Sequence, residues 1–300
     1  MRTLLVASGK GGTGKTTVTA VLVALAAREC RVAVADCDVE ASNLPLALRA
    51  TVTTREPFAG PPQVVVDERR CRGCGACVRA CPFDAMAIGP EGHAAVDPWL
   101  CESCGACVRA CPADAIALVP QVAGALLVGE CWAGPVVWGD LRPGEDLSGR
   151  LVALVREHAA DLARRHDADL LLVDGPPGVG CPAIAAMVGV DAVLAVTEPT
   201  PTAVHDLRRL AGLAVQLRVP VAVVLNKVDL SPSGAEFVRA ACAELGLALV
   251  AEVRFDAELP RLMEAVASGR TEPARLAAVT GVGGIHAVWA GLAPLVGAGS

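Results

Sequence analysis

Residues 7–16 read "ASGKGGTGKT", and residues 71–81 and 101–111 each carry four cysteines at one shared spacing. The first run has the make-up of a phosphate cradle. Gly9, Gly14, Lys15 and Thr16 fit G-x-x-x-x-G-K-S/T, in which backbone N–H groups of a glycine turn hold phosphate oxygens. The lysine reaches the β- and γ-phosphates and the hydroxyl binds Mg2+. Glycine is required because a side chain would block close approach of the backbone and because several turn positions want a positive φ. The nucleotide-binding set read from this run is Gly9, Lys10, Gly11, Gly12, Thr13, Gly14, Lys15, Thr16 and Thr17. Lys10 is one lysine more than such a loop needs. It cannot reach the same phosphates without crowding Lys15, so it calls for a different geometry. The chain holds three lysines against 23 arginines, and two of the three stand here, where a compact ammonium suits phosphate.

The cysteine runs are "CRGCGACVRACPFDAMAI" (71–88) and "CESCGACVRACPADAIAL" (101–118), identical at 13 of 18 positions. Each is C-x2-C-x2-C-x3-C-P, the bacterial ferredoxin run, whose fourth cysteine ligates the other cluster. One [4Fe–4S] cluster is therefore assigned to Cys71, Cys74, Cys77 and Cys111, and the other to Cys101, Cys104, Cys107 and Cys81. Zinc also accepts C-x2-C pairs, but it gives no reason for the third cysteine of each run or for Pro82 and Pro112. Of the remaining cysteines, Cys30 and Cys242 read as core residues. Thirteen cysteines with no secretory leader read as metal ligands sooner than disulfides, which implies a cytoplasmic protein.

Both sets need a frame. Apolar residues make up 53% of the 300 and charged residues 19%, enough for a sizeable core. A net charge of −6 argues against nucleic acid or an anionic membrane as partner. Apolar runs at 31–38, 170–178, 191–199, 221–229 and 247–253 read as strands, and helical spacing covers 15–28 and 147–166. The alternation predicts an α/β fold with a doubly wound, mostly parallel sheet. A small α+β ferredoxin domain at 67–119 interrupts it, leaving nucleotide-binding parts at 1–66 and 120–300. The Pro- and Gly-rich stretches 51–66 and 119–146 lead into and out of the insertion.

"SGKGGTGKTT" resembles the deviant Walker A motif of the MinD/ParA/Mrp class of P-loop ATPases, and the likeness runs from residue 3 to about 270. In that class the early lysine crosses a dimer interface to the partner's nucleotide. The resemblance thus implies ATP-dependent dimerisation through Lys10, with this chain or a related paralogue, and a catalytic set of Lys10, Lys15 and Asp38. It implies that Asp174 in "VDGPPG" is the Walker B acid and that Asp36 supports the Mg2+ shell with Asp174 and Thr16. Asp38 orients the attacking water and Asn43 is a switch residue. The run Asn226-Lys-Val-Asp229 reads guanine in GTPases, whereas this class uses an asparagine here with adenine, so Asn226 and Asp229 are base candidates and ATP is the expected nucleotide. Cys37 and Cys181 are candidates for a cluster across the dimer face, although the paired C-x-x-C of the Mrp carriers is missing. The implied function is ATP hydrolysis coupled to assembly or delivery of an iron–sulfur or metallocluster to a client. ATP-gated electron transfer to a redox partner is the alternative. A MinD-like positioning role is a third, disfavoured because the end of the chain lacks a basic face and reads as a packed helix.

Overall fold

The apolar run after Met1 forms β1 (Arg2–Ser8), buried from its second residue onward. A strand with both faces covered is what a nearly all-apolar sequence requires. It feeds through the glycine loop into α1 (Lys15–Ala26), whose residues from Val18 to Ala26 are all buried. The chain continues through β2 (Val32–Asp36), the short α2 (Leu44–Ala47) and β3 (Thr51–Ala59). Next come β4 (Gln63–Val66), α3 (Ala76–Ala80), β5 (Met86–Ile88), β6 (Ala94–Val96), α4 (Ala106–Ala110) and β7 (Ile116–Val119). After them follow β8 (Val122–Cys131), β9 (Gly134–Leu141), α5 (Ser148–Arg165), β10 (Leu170–Pro177), α6 (Cys181–Met187), β11 (Ala192–Thr197) and α7 (Pro201–Leu217). The last elements are β12 (Val221–Leu225), α8 (Pro232–Leu245), β13 (Ala248–Glu252) and α9 (Glu258–Ala267). This computed structural model describes residues 1–278 and Val288. The packed helix expected at the chain end lies, Val288 apart, outside the described residues.

Residues 1–56 with the chain from Ala125 onward make one compact unit, and Pro57–Gly124 makes a second. The large sheet has the order β13-β12-β11-β1-β10-β2-β9-β8-β3. Every pair from β13 to β9 is parallel. Two residues join β8 to β9, a link only an antiparallel hairpin allows. Along β1, β2 and β10, Leu4, Val6, Val32, Val34, Leu170 and Leu172 pack with α1 in one cluster. The alternating residues Leu5, Leu171 and Val173 are buried outside that cluster, so the other face is covered as well. Strand pairing also sets the site: β10 lies between β1 and β2 and registers Asp174 against both Val6 and Asp36. Acids from two neighbouring strands thus end beside the loop that leaves β1. The stretch 119–146 proves more regular than its Pro and Gly content suggests, because most of it is the β8–β9 hairpin.

The second unit repeats itself in conformation as it does in sequence. The first half runs β4, α3, β5 and the second β6, α4, β7; β4 pairs with β7 and β5 with β6, both antiparallel. The two helices are the same five residues, each entered through a left-handed glycine, Gly75 or Gly105. Asp84 and Asp114 share a positive φ after the fourth cysteines. The core is small: Val64, Met86, Ala94 and Ile116 with the thiols of Cys77 and Cys107, and with Cys71, Cys81, Cys101 and Cys111 against it.

Candidate functional site

The glycine loop enters α1 at Gly14, whose φ of 90° favours glycine and whose Cβ would lie 2.5 Å from Asn226 Nδ2. Lys15 then turns inward. Its Nζ stands 3.3 Å from Asp174 Oδ1 and 3.7 Å from Asp38 Oδ2. Asp174 is wholly buried, and Thr16 Oγ1 donates to its Oδ2 at 2.7 Å while Thr19 Oγ1 donates to its Oδ1 at 2.9 Å. Asp36, equally buried, accepts from the backbone N–H groups of Asp38 and Leu44 at 3.0 and 3.1 Å. Burial alone would lower the Lys15 ammonium; Asp174, Asp38 and Asp36 together outweigh it and hold its pKa above the ordinary value. Burial and the neighbouring Asp174 push the Asp36 carboxyl well up, against the pull of its two N–H donors and Lys15. Burial likewise raises Asp38, opposed by Lys15. Three acids around one lysine form a low-dielectric, anionic corner at a helix N-terminus, suited to a divalent cation beside phosphate.

All three lysines of the chain meet at this loop. Lys10 Nζ pairs with Glu198 Oε1 at 2.6 Å, and Lys227 Nζ lies 3.6 Å from Glu198 Oε2 while donating to Gly12 O at 2.7 Å. Asn226 Nδ2 donates to Thr13 O at 2.8 Å. Beside them opens a cleft lined by Gly14, Thr17, Asn226, Lys227, Val253 and Phe255 among others. Asp229 is not among its lining residues: its Oδ1 accepts from Phe255 N at 2.7 Å. Lys227, Glu198, Thr19 and Phe255 escaped the sequence reading. The scarcity of lysine was the one available signal for Lys227, and the others depend on long-range contacts that no local motif carries.

From Asp36 the chain leaves the sheet. Ser42 Oγ donates to Gly139 O at 2.6 Å, Leu141 N donates to Val39 O at 2.9 Å, and Asp36 registers against Trp138, so β9 is bonded along the segment that carries Asp36 and Asp38. Asn43 is turned on its own loop, donating to Ala41 O at 2.9 Å. Cys37 is wholly buried, and burial pushes its thiol far up, whereas Cys181 is exposed.

In the second unit, a hollow is lined by Cys81, Cys101, Cys104 and Cys107 together with Val64, Phe83 and Met86. Burial raises the Cys77 thiol above its ordinary range, and the neighbouring Cys71 and Cys111 add to the rise. Backbone N–H groups of Ala94, Ala85 and Ala115 donate to the sulfurs of Cys71, Cys81 and Cys111, each at 3.3 Å. Cys74 and Cys104 are exposed. Among the described residues no three His, Cys, Asp or Glu side chains converge as closely as one metal ion demands. No helix of the described residues is long and apolar enough to cross a membrane.

A glycine loop between a buried strand and a helix, with acids at the ends of adjacent parallel strands, defines a P-loop nucleotide-binding protein. The family described as CbiA, the CobQ/CobB/MinD/ParA nucleotide binding domain, matches residues 4–268, and the chain belongs to it. The chain is 36% identical to the uncharacterized protein MJ0578 of Methanocaldococcus jannaschii, over 75% of this chain and 77% of that one. It is 25% identical to an iron-sulfur cluster carrier protein of the same organism, over 75% of this chain and 59% of that one. Among solved structures, the cell division ATPase MinD of Pyrococcus furiosus superposes with a TM-score of 0.57 at 20% identity, covering 98% of this chain and 99% of that one.

Proposed function

We infer that the chain is an ATP-hydrolysing P-loop protein whose ATP-dependent dimerisation is coupled to two [4Fe–4S] clusters in its second unit, in the service of cluster assembly or delivery to a client. Lys15 and the backbone of Gly11 to Thr16 hold the phosphates. Thr16, Asp174 and Asp36 hold Mg2+, and Asp38, half-buried and within reach of Lys15, orients the attacking water. The base lies in the cleft of Asn226 and Phe255. Asp229 does not line that cleft, and its Oδ1 is engaged by Phe255 N, which favours adenine over guanine. Family membership and the likeness to a cell division ATPase support the hydrolase reading; the distant iron–sulfur carrier supports the cluster reading.

One observation carries the cluster assignment: Cys81 shares a cavity with the three leading cysteines of the other repeat. A cubane takes one thiolate at each of four corners, so its ligands surround a volume and need not converge on a point. The apolar lining and the three N–H donors to sulfur fit such a group, since both tune thiolate and cluster charge. When bound, the clusters supply one-electron chemistry or deliverable iron and sulfide. The alternative, ATP-gated electron transfer, draws on the burial of Cys77 and Cys107, which suits clusters that stay in place. The test is anaerobic purification with iron and sulfide analysis. About eight of each per chain is expected from two cubanes, and Cys81→Ser is expected to damage the cluster of Cys101, Cys104 and Cys107. Two zinc ions without sulfide would refute the assignment.

A further inference from the structure

Glu198 directly follows β11 and belongs to no nucleotide-loop motif, yet it is the residue that ties down the surplus lysine. Its carboxylate is 16% exposed, with Oε1 2.6 Å from Lys10 Nζ and Oε2 3.6 Å from Lys227 Nζ. Thr200 Oγ1, two residues on, accepts a further bond from Lys10 Nζ at 3.4 Å. Lys227 in turn donates to Gly12 O, so one carboxylate bridges two cations that flank the glycine loop. Lys10 is thereby folded onto its own chain, while its side chain keeps about a third of its surface exposed. A lysine held in this way cannot reach a second subunit until the bridge opens.

We propose that Glu198 is a cis latch: it holds Lys10 within its own subunit and so sets the protein concentration at which the ATP-bound chains pair. The proposal rests on the reading of Lys10 as the residue that crosses to a partner's nucleotide. Dimerisation exchanges the Lys10–Glu198 pair for a pair between Lys10 and phosphate. The carboxylate is left with Lys227, so it keeps a cationic partner. Because the latch stabilises only the separate chains, removing its charge favours the dimer. An exposed or half-exposed ion pair is worth up to about 1 kcal/mol, or about fivefold in an equilibrium constant.

The experiment measures the dimer dissociation constant of the full chain by sedimentation with a non-hydrolysable ATP analogue, and turnover against protein concentration. Each dimer releases two latches, so Glu198→Gln is expected to tighten the dimer by up to about 25-fold, about fivefold per subunit, and to lower the concentration for half-maximal turnover by the same factor, with the plateau kcat unchanged. In a Lys10→Ala background the same substitution is expected to do nothing. Glu198→Asp, which keeps the charge but withdraws it from Lys10, is expected to fall between, and it carries the test if the glutamine variant folds poorly. A Glu198→Gln dimer as weak as the wild type or weaker, or an equal gain without Lys10, overturns the latch. If Lys10→Ala alone leaves dimerisation intact, the cross-subunit reading fails and the latch falls with it.

Discussion

Replacing Thr19 with valine tests whether the buried acid of the site is held by its hydroxyl donors. Thr19 sits one turn into α1, is wholly buried, and places Oγ1 2.9 Å from Asp174 Oδ1 and 3.0 Å from Lys15 O. Asp174 is also wholly buried, so water cannot replace the lost donor. Valine keeps the shape and removes the hydroxyl, which makes the swap non-conservative inside a core. A hydrogen bond to a charged group contributes about 2 kcal/mol, and in a domain of this size each kcal/mol moves Tm by about 2–4 °C. Thr19→Val is therefore expected to melt about 4–8 °C below the wild type. Thr19→Ser retains the donor and loses one methyl, about 0.8 kcal/mol, and should lose about 2–3 °C. The same valine variant should bind Mg-ATP more weakly, because an Asp174 carboxylate short of one donor no longer holds its oxygens in place for the cation. Circular dichroism melts and calorimetric titration read both effects. A valine variant that melts with the wild type, or a serine variant that melts as low as valine, would refute the reasoning.

Lys15→Ala removes the cation paired with Asp174 and Asp38 and should weaken nucleotide binding at least about thirtyfold, the loss expected when a buried charged partner is truncated. Gly9→Ala would set a Cβ 2.2 Å from Asp206 Cβ, so it should cost about 1–3 kcal/mol of stability, whereas Gly11→Ala meets nothing within 4 Å and should melt near the wild type. Asp229→Ala should leave the preference for ATP over GTP unchanged in competition binding, since this carboxylate is bonded to Phe255 N and does not line the cleft. A non-hydrolysable ATP analogue should shift the cluster midpoint potentials by about 60 mV, or about 1.4 kcal/mol, and Ser42→Ala should reduce that shift; equal potentials with and without nucleotide would sever the two activities.

What the sequence made legible was local. The loop, the helix behind it and the acids at strand ends follow from motifs in which neighbouring residues share one task, and so does the two-fold repeat of the second unit. Strand positions were readable because β1, β2, β10, β11 and β12 are apolar on both faces. Their ends were less so, as with Cys37 and Asp38, which look like strand by composition but leave the sheet after Asp36. The β8–β9 hairpin was hidden because proline and glycine at its flanks mimic a linker, while its pairing partner β2 lies about a hundred residues earlier. Glu198 and Lys227 were out of reach for the same reason: each is ordinary in its own segment, and only the parallel order β12-β11-β1 brings them over the glycine loop.

That topology also bears on why a cysteine-rich unit is inserted where it is. The chain leaves the large sheet through β3, soon after Asp36 and Asp38, and returns through β8 and β9. The returning strand does not merely extend the sheet: Ser42 Oγ to Gly139 O, Leu141 N to Val39 O and the Asp36–Trp138 register join β9 to the segment that carries both acids. Segments that contact γ-phosphate and Mg2+ rearrange when those contacts are lost. Under the proposed function, any displacement of residues 36–42 must therefore either stretch these bonds or carry β9 along. Breaking the backbone bond from Leu141 N and the hydroxyl bond from Ser42 costs about 1 kcal/mol each, together within the 1–3 kcal/mol typical of allosteric coupling. Moving β9 with the segment is the less costly course, and β9 is continuous with the hairpin that leads to the cysteines. Under that proposed function linkage would run in both directions: a nucleotide that favours one position of the segment would favour one cluster state, and that cluster state would raise the affinity for the same nucleotide by the same factor.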